Sequence, residues 1–447
     1  MLQQIDQSKL MADAERLVAA AKRAGADAAD VVAVTGVSLS LDVRDGRTEE
    51  SDRSEGDDVT LRVFSGRRVA SVSANSFNDP DALAERAVAM ARVAPEDPYA
   101  GLADADALAS EIPALDLLDE TTVDAAALSE RARAAEAAAL AVSGVTKSGG
   151  ASASWRLGGL VLATSHGFRG GYLVSRHGVS VTAIAGEGTK MERDYDFDSR
   201  TYLDELDASE EIGRRAGERA VARLNPRQLS TRTAPVVYEP RAARSLLGHF
   251  TSAINGAAIA RGTSFLKACR GEQVFGEGIR ITDDPTLPRG AASRPFDGEG
   301  CPALPMTLVE DGRLTDWLLD TASARELGLA PNGRATRGGA GPAPGATNLT
   351  LAPGPLSQEE MLAEIGTGLL VTDLIGHGVN GITGDYSRGA SGFWIEDGAI
   401  AYPVSEITLA GNLKEMFAGL VPASDLDTRS AFATPSILVK DMTIAGQ

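Results

Sequence analysis

The chain has 447 residues, 43% hydrophobic and 23% charged, enough for two or three globular domains with sizeable cores. Asp and Glu outnumber Lys and Arg by 62 to 43, and the net charge of −19 repels both nucleic acid phosphates and anionic lipid heads, so direct binding to either is not expected. The two cysteines, Cys269 and Cys301, form no CxxC pair, which argues against a thioredoxin-like or zinc-ribbon site and predicts two reduced thiols.

The first residues, MLQQIDQSKLMADAERLV, carry acidic groups and lack the apolar region of a secretory leader. No apolar run is long enough to span a bilayer, so a cytoplasmic location is expected. Ser8 to Arg23 places Leu10, Met11, Ala14, Leu17, Val18 and Ala21 at helical spacing, and Gly25 ends the helix. Asp30 to Thr35 reads as a short strand, and Val37, Leu39, Leu41 and Val43 alternate with polar residues as a half-exposed strand. Arg47 to Asp58 is charged and polar and is expected to be an exposed loop. Val59 to Phe64 and Val69 to Val72 flank Ser65-Gly66 as a hairpin. Asp79-Pro80 supplies an N-cap and a first-turn proline for a helix through about Val93.

Residues 101 to 120 show little periodicity and read as a connection; Thr122 to Val142 is alanine-rich and helical. Four β segments follow, at Ala153 to Arg156, Leu160 to Thr164, Gly171 to Ser175 and Val179 to Ile184. Asp207 with Glu210 fits a capping box for a helix to about Leu224, broken by Asn225-Pro226. Asn225 to Thr233 is the best linker, so the chain divides into 1–225, with a subdivision near 100–122, and 226–447. Beyond the linker come a strand at Pro235 to Tyr238, a helix from Arg241 to about Ala260, and a hairpin around Asp311-Gly312. A glycine-proline loop is expected from Gly333 to Gly345, then a capped helix from Ser357 and a buried strand from Leu369 to Ile375. The fold class is α+β: an N-terminal mixed sheet with flanking helices, then a β-rich domain of mainly antiparallel barrel-like or sandwich sheets.

Val379 to Leu413 is the most informative stretch. A glycine-rich turn segment, Gly381 to Gly392, runs into the apolar strand Phe393-Trp394-Ile395, and Asp397-Gly398 turns the chain back through Ala399 to Val404. Gly376 to Gly381 fits G-x-G-x-x-G, but no helix begins there to receive a pyrophosphate, so a dinucleotide site is not expected. Ser387 would need a base, for which His377 is the candidate; the simpler reading is that Asp385 and Ser387 bond their own turn. The four histidines, His166, His177, His249 and His377, show no metal-binding spacing. Arg241, Arg244 and Arg261 are candidates for peptide carboxylates, although solvated surface arginine is the commoner reading; Asp283-Asp284 and Asp297-Gly-Glu299 are candidates for a cation, and turn chemistry explains them at least as well.

GDYSRGASGFWIEDGAIAYPVSEITLAGNL, from Gly384 to Leu413, resembles the C-terminal motif of the TldD/PmbA family, and within it the PmbA/TldE branch once called modulator of DNA gyrase. ARGTSF ending at Phe265, FDGEG from Phe296 and the final TIAGQ extend the resemblance over nearly the whole chain. It implies a cytosolic two-chain peptidase acting on unfolded or extended peptides. The TldD chain carries an HExxxH zinc motif on a helix shortly before a stretch like Arg261 to Phe265. Counted back without gaps, the motif's His, Glu and second His fall on Leu247, Gly248 and Ser252, none of which can bind zinc or act as a base. The resemblance therefore implies that this chain has no catalytic residues or metal of its own and that zinc resides in a TldD-type partner. Gly384, Asp385, Tyr386, Ser387, Arg388 and Gly389 are the expected contacts to peptide or partner. An autonomous hydrolase and a non-enzymatic homodimeric binding or regulatory protein are the alternatives.

Overall fold

The computed structural model describes residues 5–338 and 341–446. Residues 1–4 at the N-terminus, 339–340 of the expected glycine-proline loop and Gln447 of TIAGQ lie outside them.

The first half runs α1 (Gln7–Arg23), β1 (Ala28–Arg44), β2 (Arg47–Ser65), β3 (Arg68–Ala74), α2 (Pro80–Val93), α3 (Ala125–Leu140), β4 (Val145–Thr164), β5 (Arg169–Ala185), β6 (Glu192–Arg200) and α4 (Ser209–Ala222). The strands form one sheet ordered β3-β2-β1-β4-β5-β6. Expected to be mixed, it is antiparallel in every pairing, because hairpins join its neighbours and the long connection from β3 returns β4 beside β1 in the opposite sense.

Several short predicted strands are segments of long ones. Arg47 to Asp58, expected to be a loop, belongs to β2 and pairs with β1 along its length, with a bulge at Glu49. Its polarity reflects exposure, since β3 covers β2 only from Val59 onward and leaves the earlier residues as an open edge. Charged side chains on such an edge discourage pairing with other chains. At the β1–β2 turn Asp45 and Gly46 have positive φ, and their N–H groups donate to the buried Glu136 carboxylate of α3 at 2.8 Å each.

The inward residues of the strands meet the helices on one face. Val31, Ala33, Leu61 and Val63 pack under Leu17, Ala21, Ala87 and Val88 of α1 and α2. Leu41, Trp155, Val179 and Val181 pack under Leu128, Ala132, Ile212 and Ala216 of α3 and α4. Asp79 caps α2 as the sequence suggests, accepting from the Ala82 N–H at 3.0 Å. The Asp207–Glu210 capping box does not form. Ala208 occupies the N-cap, and the Asp207 carboxylate is engaged by Arg215 at 2.6 Å.

The second half comprises β7 (Arg232–Tyr238), α5 (Pro240–Ala253), α6 (Gly256–Ala260), β8 (Ile281–Asp283), β9 (Met306–Glu310), β10 (Arg313–Leu314), α7 (Thr321–Leu327), β11 (Ala335–Gly338), β12 (Gly341–Pro344), β13 (Leu349–Leu351), α8 (Gln358–Ile365), β14 (Gly368–Val379), β15 (Asp385–Glu396), β16 (Ala399–Asn412), α9 (Leu413–Ala418), β17 (Leu420–Pro422), β18 (Phe432–Ala433) and β19 (Ile437–Ala445). Strands β16-β15-β14-β7-β19 close into a five-stranded barrel through the β16–β19 pairing, with β17 attached to β19. Alternation along β7 and β14 sends Val236, Tyr238, Leu369 and Val371 into one core, and Val237 and Leu370 outward under Met361 and Leu362 of α8. A second sheet, β10-β9-β8-β13-β18, flanks the barrel. The Gly333 to Gly345 stretch is not simply a loop: β11 and β12 pair within it, and Ala335 N–H donates to Asp297.

The two halves are joined by buried charge. Asp30 of β1 accepts from Arg62 of β2 (Nε, 3.0 Å) and from Arg337 of β11 (Nη1, 3.3 Å). Burial alone would raise the Asp30 carboxyl pKa, but the Arg337 and Arg62 guanidiniums overcome that and hold it below the usual range. Asp194 and Asp196 of β6 form a second web, with Arg219 of α4, with Arg223 that caps it, and with Arg241 and Arg429 of the C-terminal half. Replacing Asp30 with Ala leaves two guanidiniums without their buried carboxylate and is expected to cost about 3–5 kcal/mol. Urea unfolding of D30A at neutral pH measures it; a loss under about 1 kcal/mol would mean the pair contributes little.

Candidate functional site

Gly381 to Gly392 is not the glycine loop expected from sequence. The turn is confined to Asn380–Gly384, and Asp385 onward is strand β15, bulged against both neighbours. Glycine is required at two positions: a Cβ at Gly378 would collide with the Ser387 carbonyl, and one at Gly392 with the Leu370 carbonyl. These close approaches bend the strands into the closed barrel. Gly376 to Gly381 runs from β14 into the turn without starting a helix, so no phosphate cradle forms.

The motif residues divide between two faces of β15. Asp385 is exposed and secures the turn, accepting from Thr383 Oγ1 at 2.6 Å and Asn412 Nδ2 at 3.1 Å. Ser387 is exposed opposite Gly378, and among the described residues no hydrogen bond joins it to His377 or His249. Tyr386 points inward beside Tyr238, whose hydroxyl donates to Met442 Sδ at 3.1 Å. Gly384 and Gly389 sit at the ends of this segment, with Gly384 at φ +86°.

Helix α5 brings Leu247, Gly248 and Ser252, the positions on which the resemblance places a zinc motif, to the same place. Its apolar face, Leu246, Leu247, Phe250 and Ala253, enters the core, where Phe250 meets the Phe275 ring at 5.2 Å. Leu247 is thus buried, whereas Gly248 and Ser252 lie on the outer side. Gly248 has room for a side chain, and Ser252 Oγ donates to its carbonyl at 2.8 Å. His249 lies edge-on to Tyr386, ring centroids 5.9 Å apart. Burial, then the positive charge of Arg388, then His377 push its pKa down to about 4.

This arrangement does not fit a zinc ion. The three motif positions offer a buried leucine, a glycine and an internally bonded hydroxyl, and the neighbouring Arg388 makes the potential unfavourable for a cation. Among the described residues no three His, Cys, Asp or Glu side chains converge to hold a metal. His166 and His177 lie in the N-terminal half, the first bonded to Ala103 O at 2.9 Å and the second 3.1 Å from Asp119.

The remaining candidates have structural partners. Arg241 is paired with Asp194 and Arg244 with Asp427, while Arg261 is exposed at the end of α6. Asp283 is engaged by Arg334 at 2.6 Å, and Asp284 accepts from Thr286. Within FDGEG, Asp297 accepts three backbone N–H groups, from Glu299, Cys301 and Ala335. Glu299 accepts from Thr321 N–H at 2.7 Å; burial, then the Asp297 charge, raise its carboxyl pKa to about 7. The meeting of His249 with Tyr386 and Arg388 had no sequence signal, since they lie on separate elements with no shared motif. Asp30 had one: a lone carboxylate in the apolar run Ala28 to Val34.

The barrel, the bulged glycine strand and the helix laid against it define a member of the PmbA/TldD family of metallopeptidases, to which the chain belongs. Family profiles match residues 29–91 (PmbA/TldA metallopeptidase domain 1), 118–224 (central domain) and 231–446 (C-terminal domain). Metalloprotease PmbA of Escherichia coli O157:H7 is 40% identical over 435 residues, covering 96% of this chain and 94% of that one. The PmbA homologue of Haemophilus influenzae is 38% identical, covering 95% and 94%. Among solved structures, a candidate modulator of DNA gyrase from Bacteroides thetaiotaomicron superposes with a TM-score of 0.91 at 25% identity, over 99% of this chain and 100% of that one. TldE from Thermococcus kodakarensis has the same fold, with a TM-score of 0.85 at 22% identity, over 97% and 100%.

Two titrations test the site. His249 is depressed, so it is neutral at pH 7; its contribution to stability is present above the ordinary value of 6.5 and is lost as pH falls toward about 4. Imidazole NMR should show His249 titrating near pH 4, and a value above 6 would contradict its burial beside Arg388. Glu299 is raised, so its contribution is fully present below 4.5 and is lost as pH rises through about 7. Glu299→Gln should therefore match the parent Tm at pH 5 and exceed it at pH 8.5; equal Tm at both values would be the contrary result.

Proposed function

We propose that the chain is the subunit without a zinc site in a cytoplasmic two-chain metallopeptidase, acting with a TldD-type partner on unfolded or extended peptides. The observation that supports this reading is the helix α5 sequence: it holds Leu247, Gly248 and Ser252 at the positions on which the family resemblance places His, Glu and His. Hydrolytic chemistry would come from zinc held by the partner. The role left to this chain is to complete the enclosure and present backbone and motif residues to an extended peptide, which can bind by adding a strand. Asp385, Ser387 and Arg388 on β15, with the exposed Ile375 and Ile382 of the adjoining β14–β15 hairpin, are the surface offered to partner or peptide.

An autonomous serine hydrolase is disfavoured because Ser387 has no bonded base. Direct action on DNA is disfavoured by the charge of −19. The decisive experiment is reconstitution with a TldD-type chain. The protein alone should contain well under one zinc per chain and be inactive, and the pair should cleave unfolded peptides. Ser387→Ala and His249→Ala should keep at least half of the pair's activity. Background activity for either variant, or about one tightly held zinc in the isolated chain, would overturn the reading.

A further inference from the structure

A cavity of about 310 Å³ lies between the two halves, far from α5 and β15 in the chain and sharing no lining residue with them. Its floor is the face of the N-terminal sheet opposite the helices, with Val32, Leu160, Leu162 and Tyr172; the C-terminal half adds Phe296 and Arg294. The Phe296 ring packs edge-on against Tyr172, centroids 5.5 Å apart, and against Phe168 at 4.9 Å.

Arg294 is the anomaly. Its Nε and Nη2 are out of solvent and have no hydrogen-bond partner among the described residues, and no carboxylate among them lies within ion-pair distance. Other charges around the cavity are spent: Arg337 on Asp30, and Asp297 on three backbone N–H groups. Burial pulls the Arg294 pKa down and the Asp297 charge only partly opposes it, which leaves Nε and Nη2 as two buried N–H donors that an anion in the cavity can accept from. The planar fork of N–H donors matches a carboxylate. Apolar walls beside one guanidinium suit a carboxylate on a compact apolar group better than a strongly hydrated inorganic anion, and the volume is at the small end for ligand sites.

We propose that this interdomain cavity binds a carboxylate joined to one compact apolar or aromatic group, with the Arg294 guanidinium on the carboxylate and the Leu160–Leu162–Phe296 wall on the apolar part. The ligand is either a free acid or the last residue of a peptide, which share this chemistry.

Calorimetric titration and thermal shift of the full chain test it, using N-acetyl-phenylalanine, its amide, the tetrapeptide Ala-Ala-Ala-Phe and inorganic phosphate. The acid should bind saturably and raise Tm, with the amide at least tenfold weaker and phosphate weaker still. Tighter binding of the tetrapeptide would identify a peptide end as the source, and binding of the small acid alone a free acid. Arg294→Gln should weaken acid binding at least tenfold without lowering the ligand-free Tm. Ala292→Phe, which fills the cavity and keeps Arg294, should also abolish binding. The proposal is overturned if the amide binds as well as the acid, if phosphate binds more tightly, if R294Q leaves affinity unchanged, or if no probe acid binds at millimolar concentration.

Discussion

Asp30 is where the two halves of the molecule become one object. Its carboxylate neutralises a guanidinium from its own sheet and one from the C-terminal half, all three side chains nearly out of solvent. A buried ion of this kind contributes orientation more than net stability, because its desolvation offsets much of its attraction. Its value is that the wrong docking leaves a bare charge. The Asp194–Asp196 web does the same at the other end of the seam, tying β6 and α4 to Arg241 and Arg429. Between these anchors the faces need not fit tightly, and that is where the cavity of Arg294 lies.

Local chemistry was legible from sequence wherever a residue acts on its own neighbours. The Asp79 cap, the Ser357 cap, and the Asp311-Gly312 and Asp397-Gly398 turns form as read, with both turn residues at positive φ. The reading failed where a distant partner decides. Arg47 to Asp58 looks like a loop because its own residues carry no apolar alternation, yet β1 pairs it along its length save at the Glu49 bulge. Asp207 looks like a cap, but Arg215 claims it. The glycines of Gly381 to Gly392 were read as freedom to turn, whereas Gly392 serves close backbone approach within a bulged strand. The charge pairs across the seam link residues as far as 307 positions apart and leave no local pattern.

In the reading proposed here, one scaffold keeps its form without zinc ligands of its own. Leu247 belongs to the same apolar cluster as Phe250 and Phe275. A histidine there would be a polar group in a close-packed core, so placing His, Glu and His at Leu247, Gly248 and Ser252 would not by itself build a zinc site. The outer side of α5 has space at Gly248, but faces Arg388 and a neutral His249 rather than further ligands. What persists is the shape: a helix laid across a glycine-bulged strand, with buried tyrosines beneath.

The barrel closes on its last strand. β19 pairs with both β7 and β16, and Tyr238 touches Met442 across 204 positions of chain. The N-terminal sheet, by contrast, finds every partner before Arg200. During synthesis the first half can therefore fold as it emerges, while β7 must wait with unpaired edges until nearly the whole remaining chain has left the ribosome. That interval is when the apolar strands of the second half are open to aggregation or to chaperones. The finished N-terminal sheet, with Asp30 and Arg62 already in place, is then a template on which Arg337 and the late-forming barrel can dock.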